Sequence, residues 1–165
     1  METLIKKLEK KNKEELLELI NELCVNNEDN YKYLKSMYST KDNSEKHYKK
    51  IDRFLYGNIL RLKDSKNYFN NVIKTTANKV EIAKTGIYFL DSLIEVFECH
   101  LGYEEEYQVV IDVLDVTCSA INKINNNEKY IKEIYEIISK CSFDMDTSDL
   151  FEVFYYYFDY NEEDI

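Results

Sequence analysis

Apolar residues recur at three- and four-residue intervals along most of the chain, the spacing of amphipathic helices rather than strands. In Asn12-Lys-Glu-Glu-Leu-Leu-Glu-Leu-Ile-Asn-Glu-Leu-Cys24, Leu16, Leu19, Ile20 and Leu23 share one face. Asn12 and Glu15 stand at the two positions of a reciprocal capping box, so a helix is predicted to start there. Leu4, Ile5 and Leu8 predict a shorter helix packing back on it, and Tyr31 to Tyr38 another. Asp42-x-x-Glu45 opens a longer helix, which the periodicity carries through Ile51, Phe54, Leu55 and Ile59 to about Leu62. Asp64 then begins a short helix with Phe69, Val72 and Ile73.

The next two runs read as a central helical hairpin. Asn78-x-x-Glu81 caps a helix to about Leu101, in which Ile82, Ala83, Ile87, Phe89, Leu90, Leu93, Ile94, Val96 and Phe97 cover about half the circumference at ~100° per residue. An apolar face that wide requires more than one neighbour. Gly102 stands at a natural C-cap position before the second run, Tyr107 to Ile124. Val109-Val110-Ile111 would suit a strand, but Asp112 and Asp115 fall between apolar pairs at helical spacing, so helix is expected. Asn127 to Cys141 adds a helix faced by Ile131, Ile134, Tyr135 and Ile138, and Asp146, Thr147 and Ser148 offer caps for the last one.

That last helix holds an apparent jumble of aromatics and acids. Stepped at ~100° per residue, Leu150, Phe151, Val153, Phe154, Tyr157 and Phe158 fill one side, with Tyr160 at its edge. Asp149, Glu152, Tyr155, Tyr156 and Asp159 take the other. The expectation is an amphipathic helix docked into the chain's own core, with Phe154 and Phe158 buried and Tyr155 and Tyr156 exposed; a homodimer seam is the alternative. The fold class is therefore all-α, a single domain over residues 1–165 with about seven or eight helices, whose successive hairpins could stack in the manner of an α-solenoid.

Composition adds boundaries. With no proline and 3 glycines in 165 residues, turns must be punctuated by Asn, Asp, Ser and Thr. The cysteines, Cys24, Cys99, Cys118 and Cys141, have neither paired nor Cys-x-x-Cys spacing, and an apolar fraction of 44% needs no disulfide framework. They are expected to be reduced thiols in a cytoplasmic protein. Charges begin at the second residue, and no segment approaches the ~18 apolar residues of a membrane span, so neither secretion nor membrane insertion is expected.

The opening LIKKLEKKNKEELLELINELCVNNEDNYKYL resembles that of an uncharacterised bacterial family, domain of unknown function 6155. The likeness continues through YFLDSLIEVFECHLGYEEEY and the closing SDLFEVFYYYFD, and so covers most of the chain. The chain departs from the family pattern at Asn12, where serine is usual, and in lacking the glycine and tryptophan common before the last helix. The resemblance implies a helical fold and a bacterial or phage origin, and brings no activity with it.

No motif names a chemistry. The histidines, His47 and His100, lack the Glu-x-x-His or His-x-x-x-His spacing that sets two ligands on one helical face, and adjacent Cys99 and His100 point about 100° apart. No metal and no cofactor is expected. Charge is the unusual feature: residues 1–84 hold 18 Lys+Arg and 13 Asp+Glu, a net of +5, whereas residues 85–165 hold 4 Lys and 19 acids, a net of −15. Asp91, Glu95 and Glu98 lie on the solvent stripe of the first central helix, Glu104, Glu105 and Glu106 at the start of the second, and Asp112 and Asp115 along it. A solvated helix face accounts for these acids as plainly as a function does. The functional expectation is a non-enzymatic interaction module, a monomer rather than a homodimer, whose acidic half docks a basic protein partner, including by imitation of nucleic-acid phosphates. The alternative is an enzyme or small-ligand-binding domain with a pocket between helices. Direct nucleic-acid binding through Lys46, Lys49, Lys50, Arg53, Arg61 and Lys63 is opposed by the net charge of −10.

Overall fold

The computed structural model describes residues 2–39, 41–99, 104–141 and 147–159. They form helices α1 (Glu2–Leu8), α2 (Lys13–Asn26), α3 (Glu28–Met37), α4 (Ser44–Leu55), α5 (Leu62–Thr75), α6 (Lys79–Cys99), α7 (Glu104–Ile121), α8 (Glu128–Ser139) and α9 (Ser148–Tyr157). Among the described residues there are nine helices and no strand, so the chain is an all-α single-domain bundle, with Val109–Ile111 helical. Two helices where one is easily assumed, α2 and α3, are separated by Asn27 alone.

Asparagine supplies the punctuation that glycine and proline do not. Asn12 Oδ1 accepts the Glu15 N–H at 2.9 Å while Glu15 Oε2 accepts the Asn12 N–H at 2.8 Å, closing the capping box. Asn27 Oδ1 accepts from Asp29 N–H at 2.9 Å, and Asn78 Oδ1 from Val80 N–H at 3.0 Å. Between α7 and α8, Asn126 takes φ 56°, a left-handed conformation that asparagine tolerates. Asn127 Nδ2 there donates to the Ile121 carbonyl at 3.1 Å, closing the end of α7. At the last helix Thr147 is the N-cap, but no side-chain cap bond forms. The Gly102, Leu101 and Asp146 expectations lie outside the described residues.

The α6/α7 hairpin is the centre. Phe89, Leu90, Leu93, Val110, Leu114 and Ile121 are buried along it, and α4, α5, α8 and α9 pack around it. The two helices touch closely at Gly86 and Thr117, where there is no room for a glycine Cβ. Their small buried hydroxyls are satisfied within their own helices, Thr85 donating to Glu81 O at 2.7 Å and Thr117 to Val113 O at 2.6 Å, so no polar group is orphaned at that crossing. Tyr48 of α4 stacks on Tyr88 of α6 with centroids 4.1 Å apart, and Phe69 of α5 meets Phe89 edge-on at 5.6 Å.

Two expectations are corrected. The helix predicted to run to about Leu62 stops at Leu55, and Ile59, expected on its buried face, is 76% exposed. A Cβ at Gly57 would lie 2.8 Å from the Arg53 carbonyl oxygen, so glycine permits the tight exit; Arg61 N–H then donates back to Phe54 O at 2.9 Å, and α5 begins at Leu62 rather than Asp64. The second correction concerns the N-terminal helices. Leu4 and Ile5 are exposed rather than packed back, and α2 has no fully buried residue, with Ile20 and Leu23 both exposed. The stripe exists, but among the described residues α2 packs chiefly on α3, and α3 on α5, which leaves the stripe partly open to solvent.

The start of α4 is tied to α6 electrostatically. Asp42 accepts from the Ser44 N–H at 2.9 Å and from the Ser44 hydroxyl, and Lys84 Nζ reaches its other oxygen at 2.6 Å. The Lys84 hydrogen bond first, and then those of Ser44, lower the Asp42 carboxyl from 3.8 to about 2. A depressed carboxyl contributes stability above its unfolded value and loses it as pH falls through the folded one. Urea midpoints measured in steps from pH 5 to 2 should thus fall more steeply for wild type than for Asp42→Asn, the gap closing at the acid end. The pair is half exposed, so the contribution is less than about 1 kcal/mol.

Candidate functional site

The acids of the central hairpin engage three different neighbours. Asp91 and Glu95 are exposed on α6, and Glu95 accepts the Tyr56 hydroxyl at 2.6 Å, beyond the end of α4. Burial and then this bond push the Tyr56 phenol above its ordinary range. Asp112 accepts from Lys66 Nζ of α5 and from Gln108 Nε2 at 2.9 Å. Burial alone would raise the Asp112 carboxyl; the Lys66 and Gln108 bonds and the Lys66 charge outweigh it and hold the group below its ordinary value. Asp115 accepts the Tyr157 hydroxyl of α9 at 2.9 Å. The side chains of Glu98, Glu104, Glu105 and Glu106 lie outside the described residues, as do Cys99 Sγ, His100 and Tyr160.

One of these acids sits in a concave site. Between α7 and α9 runs a groove of about 280 Å³, with Ile111, Val153 and Tyr156 as its apolar part and Asp115, Asp149 and Glu152 as its carboxylates. The sequence places Asp149 and Glu152 on the polar stripe of α9, but only the packing of α9 along α7 brings that stripe to Asp115. Tyr156, 81% exposed, stands at the same groove.

A second cluster joins α4, α5 and α6. Glu81 is buried at 4% exposure; His47 Nε2 lies 3.0 Å from its Oε1, and Asn43 N–H donates to Oε2 at 3.3 Å. A carboxylate only accepts, so Nε2 carries the proton and donates. In the neutral ring Nδ1 then accepts the Tyr68 hydroxyl, 2.8 Å away. Burial, followed by the Glu81 charge, raises the Tyr68 phenol and keeps it a donor. With both ring nitrogens engaged inside the protein, His47 has no lone pair left for a substrate proton. Nothing in the sequence pairs His47 with Glu81, which are 34 positions apart on different helices.

Cys24 and Cys118 are free thiols. Burial, then the Asp115 charge, pushes the Cys118 thiol up to about 12, the reverse of nucleophile activation. Among the described residues no three His, Cys, Asp or Glu side chains converge to hold a metal ion, and no helix is long and apolar enough to cross a membrane. No protein-family model, curated protein or solved structure matches the chain.

Proposed function

We propose that the chain is a non-catalytic helical interaction module that docks a basic segment of a protein partner in the α7/α9 groove. The observation carrying this reading is the combination there of Asp115, Asp149 and Glu152 with the apolar Ile111, Val153 and the exposed Tyr156 ring. A partner helix or extended segment can seat an aliphatic side chain against Val153 while its Lys or Arg heads meet the carboxylates and the Tyr156 face. The net −15 of residues 85–165 steers such a segment inward. Duplex mimicry is the less supported form, because Asp112 is already neutralised by Lys66.

A labelled amphipathic peptide rich in Lys and Arg, titrated against the full chain by fluorescence anisotropy, checks this. The wild type should bind it with an affinity that falls steeply as salt rises, and Asp149→Asn/Glu152→Gln should weaken binding about tenfold, equivalent to ~1.4 kcal/mol. Equal binding by the variant, or indifference to salt, removes the reading.

A further inference from the structure

We propose that the cleft between α3, α4, α5 and α6 is a binding site for a phosphorylated small molecule, separate from the acidic groove. Lys32 and Lys35 approach from α3, Lys41 from the following loop and Lys46 from α4. In a chain with 32 acids and 22 Lys+Arg, four ammonium groups around one hollow run against the overall balance.

The lining holds four lysines and little opposing charge. Among the described lining residues, Glu81 is the sole acid, and its oxygens are consumed by His47 Nε2–H and the Asn43 N–H. It remains one negative charge at the hollow against four ammonium groups. Lys32 pairs with Glu28 at 3.0 Å on an exposed rim, whereas Lys41 and Lys46 have no ion pair among the described residues.

Size and donor type select the ligand class. The hollow is about 470 Å³, within the range of small-molecule sites and too confined for a polymer track. No arginine is among the described lining residues, so the planar fork that matches a carboxylate is missing; compact ammonium charges from several directions, with Ser39 and Thr76 beside them, match the tetrahedral oxygens of a phosphoryl dianion. Lys49, Lys50 and Arg53, which a nucleic-acid backbone would need in continuation, are not among the lining residues.

Isothermal titration of the full chain with inorganic pyrophosphate and inorganic phosphate tests the site, using Lys41→Gln/Lys46→Gln and, as a pair of equal charge change outside the cleft, Lys63→Gln/Lys123→Gln. All four lysines are exposed, so the folds should survive substitution. Saturable pyrophosphate binding is expected in the wild type, weakened about tenfold or more in the cleft pair, as loss of charge-assisted bonds implies, and within about twofold of wild type in the outside pair. The proposal fails if the wild type shows no saturable binding, or if both pairs weaken it alike. It also fails if a single-stranded oligonucleotide binds more tightly than pyrophosphate and gains affinity with length, which would mark a polymer surface instead.

Discussion

Gly86→Ala should lower the stability of the chain by about 3 kcal/mol, although alanine is the better helix former by about 1 kcal/mol. The sign is decided at the α6/α7 crossing. An added Cβ would fall well inside contact distance of Thr117 Oγ1 and 2.9 Å from both Thr117 Cβ and Cγ2. Thr117 cannot yield easily: it is fully buried, and its hydroxyl is held by the Val113 carbonyl at 2.6 Å. The helices must therefore move apart, and the hairpin that every other core element leans on opens with them. For a chain of this size the loss corresponds to a melting temperature roughly 6 to 12 °C lower. Thr117→Ala introduced into Gly86→Ala removes Oγ1 and Cγ2 of the clashing side chain and should recover part of the loss, giving a coupling of about 1 kcal/mol or more in a double-mutant cycle by urea unfolding. A Gly86→Ala protein within about 0.5 kcal/mol of wild type would show that the crossing can relax.

This contact marks the limit of what the pattern of apolar positions can say. The widths of the stripes on α6 and α7 identify them as the buried pair, and the caps at Asn12 and Asn78 are readable because each asparagine oxygen accepts from a backbone N–H within four residues. The break after Leu55 is not readable from spacing, since Leu55, Ile59 and Leu62 continue the helical interval across it by coincidence; Gly57 was the available signal. The stripe on α2 illustrates a different gap. Periodicity reports that a face could be buried and says nothing about whether a neighbour arrives to bury it, and Ile20 and Leu23 remain open to solvent.

The sites divide in the same way. Asp112 and Asp115 are placed on an outer face of α7 by helical angle alone, but their partners, Lys66 and Tyr157, come from helices 46 and 42 positions away. The acidic groove needs α9 beside α7, and the cationic cleft needs three helices around a buried Glu81; both are products of tertiary packing with no local signature. Charge counted along the sequence also misleads locally. In the basic half four lysines line one hollow beside a single acid, Glu81, whereas part of the acidic half is neutralised from α5.

Phe154→Ala should cost about 3 to 5 kcal/mol, and Tyr156→Ala close to nothing. The two residues stand two positions apart on α9 with opposite environments: Phe154 is fully buried, while Tyr156 is 81% exposed. Tyr155, at 46% exposed, falls between them. Phe154 meets Phe158 edge-on at 5.2 Å and Tyr135 of α8 at 5.8 Å, so its truncation leaves a cavity walled by two further rings that cannot collapse without displacing α8. Phe158 itself lies past the helix, on extended backbone, and is buried at 5% exposure; it anchors the chain where α9 ends. Leu150, Phe154 and Phe158 are taken up by the chain's own core, while Phe151, Val153 and Tyr157 are half-buried, so a monomer is the expected state. Sedimentation across a wide concentration range should give a constant monomer. A dimer that Phe154→Ala dissociates, with helical circular dichroism intact, would reverse the assignment, since a core residue cannot be truncated without unfolding cost and a seam residue can.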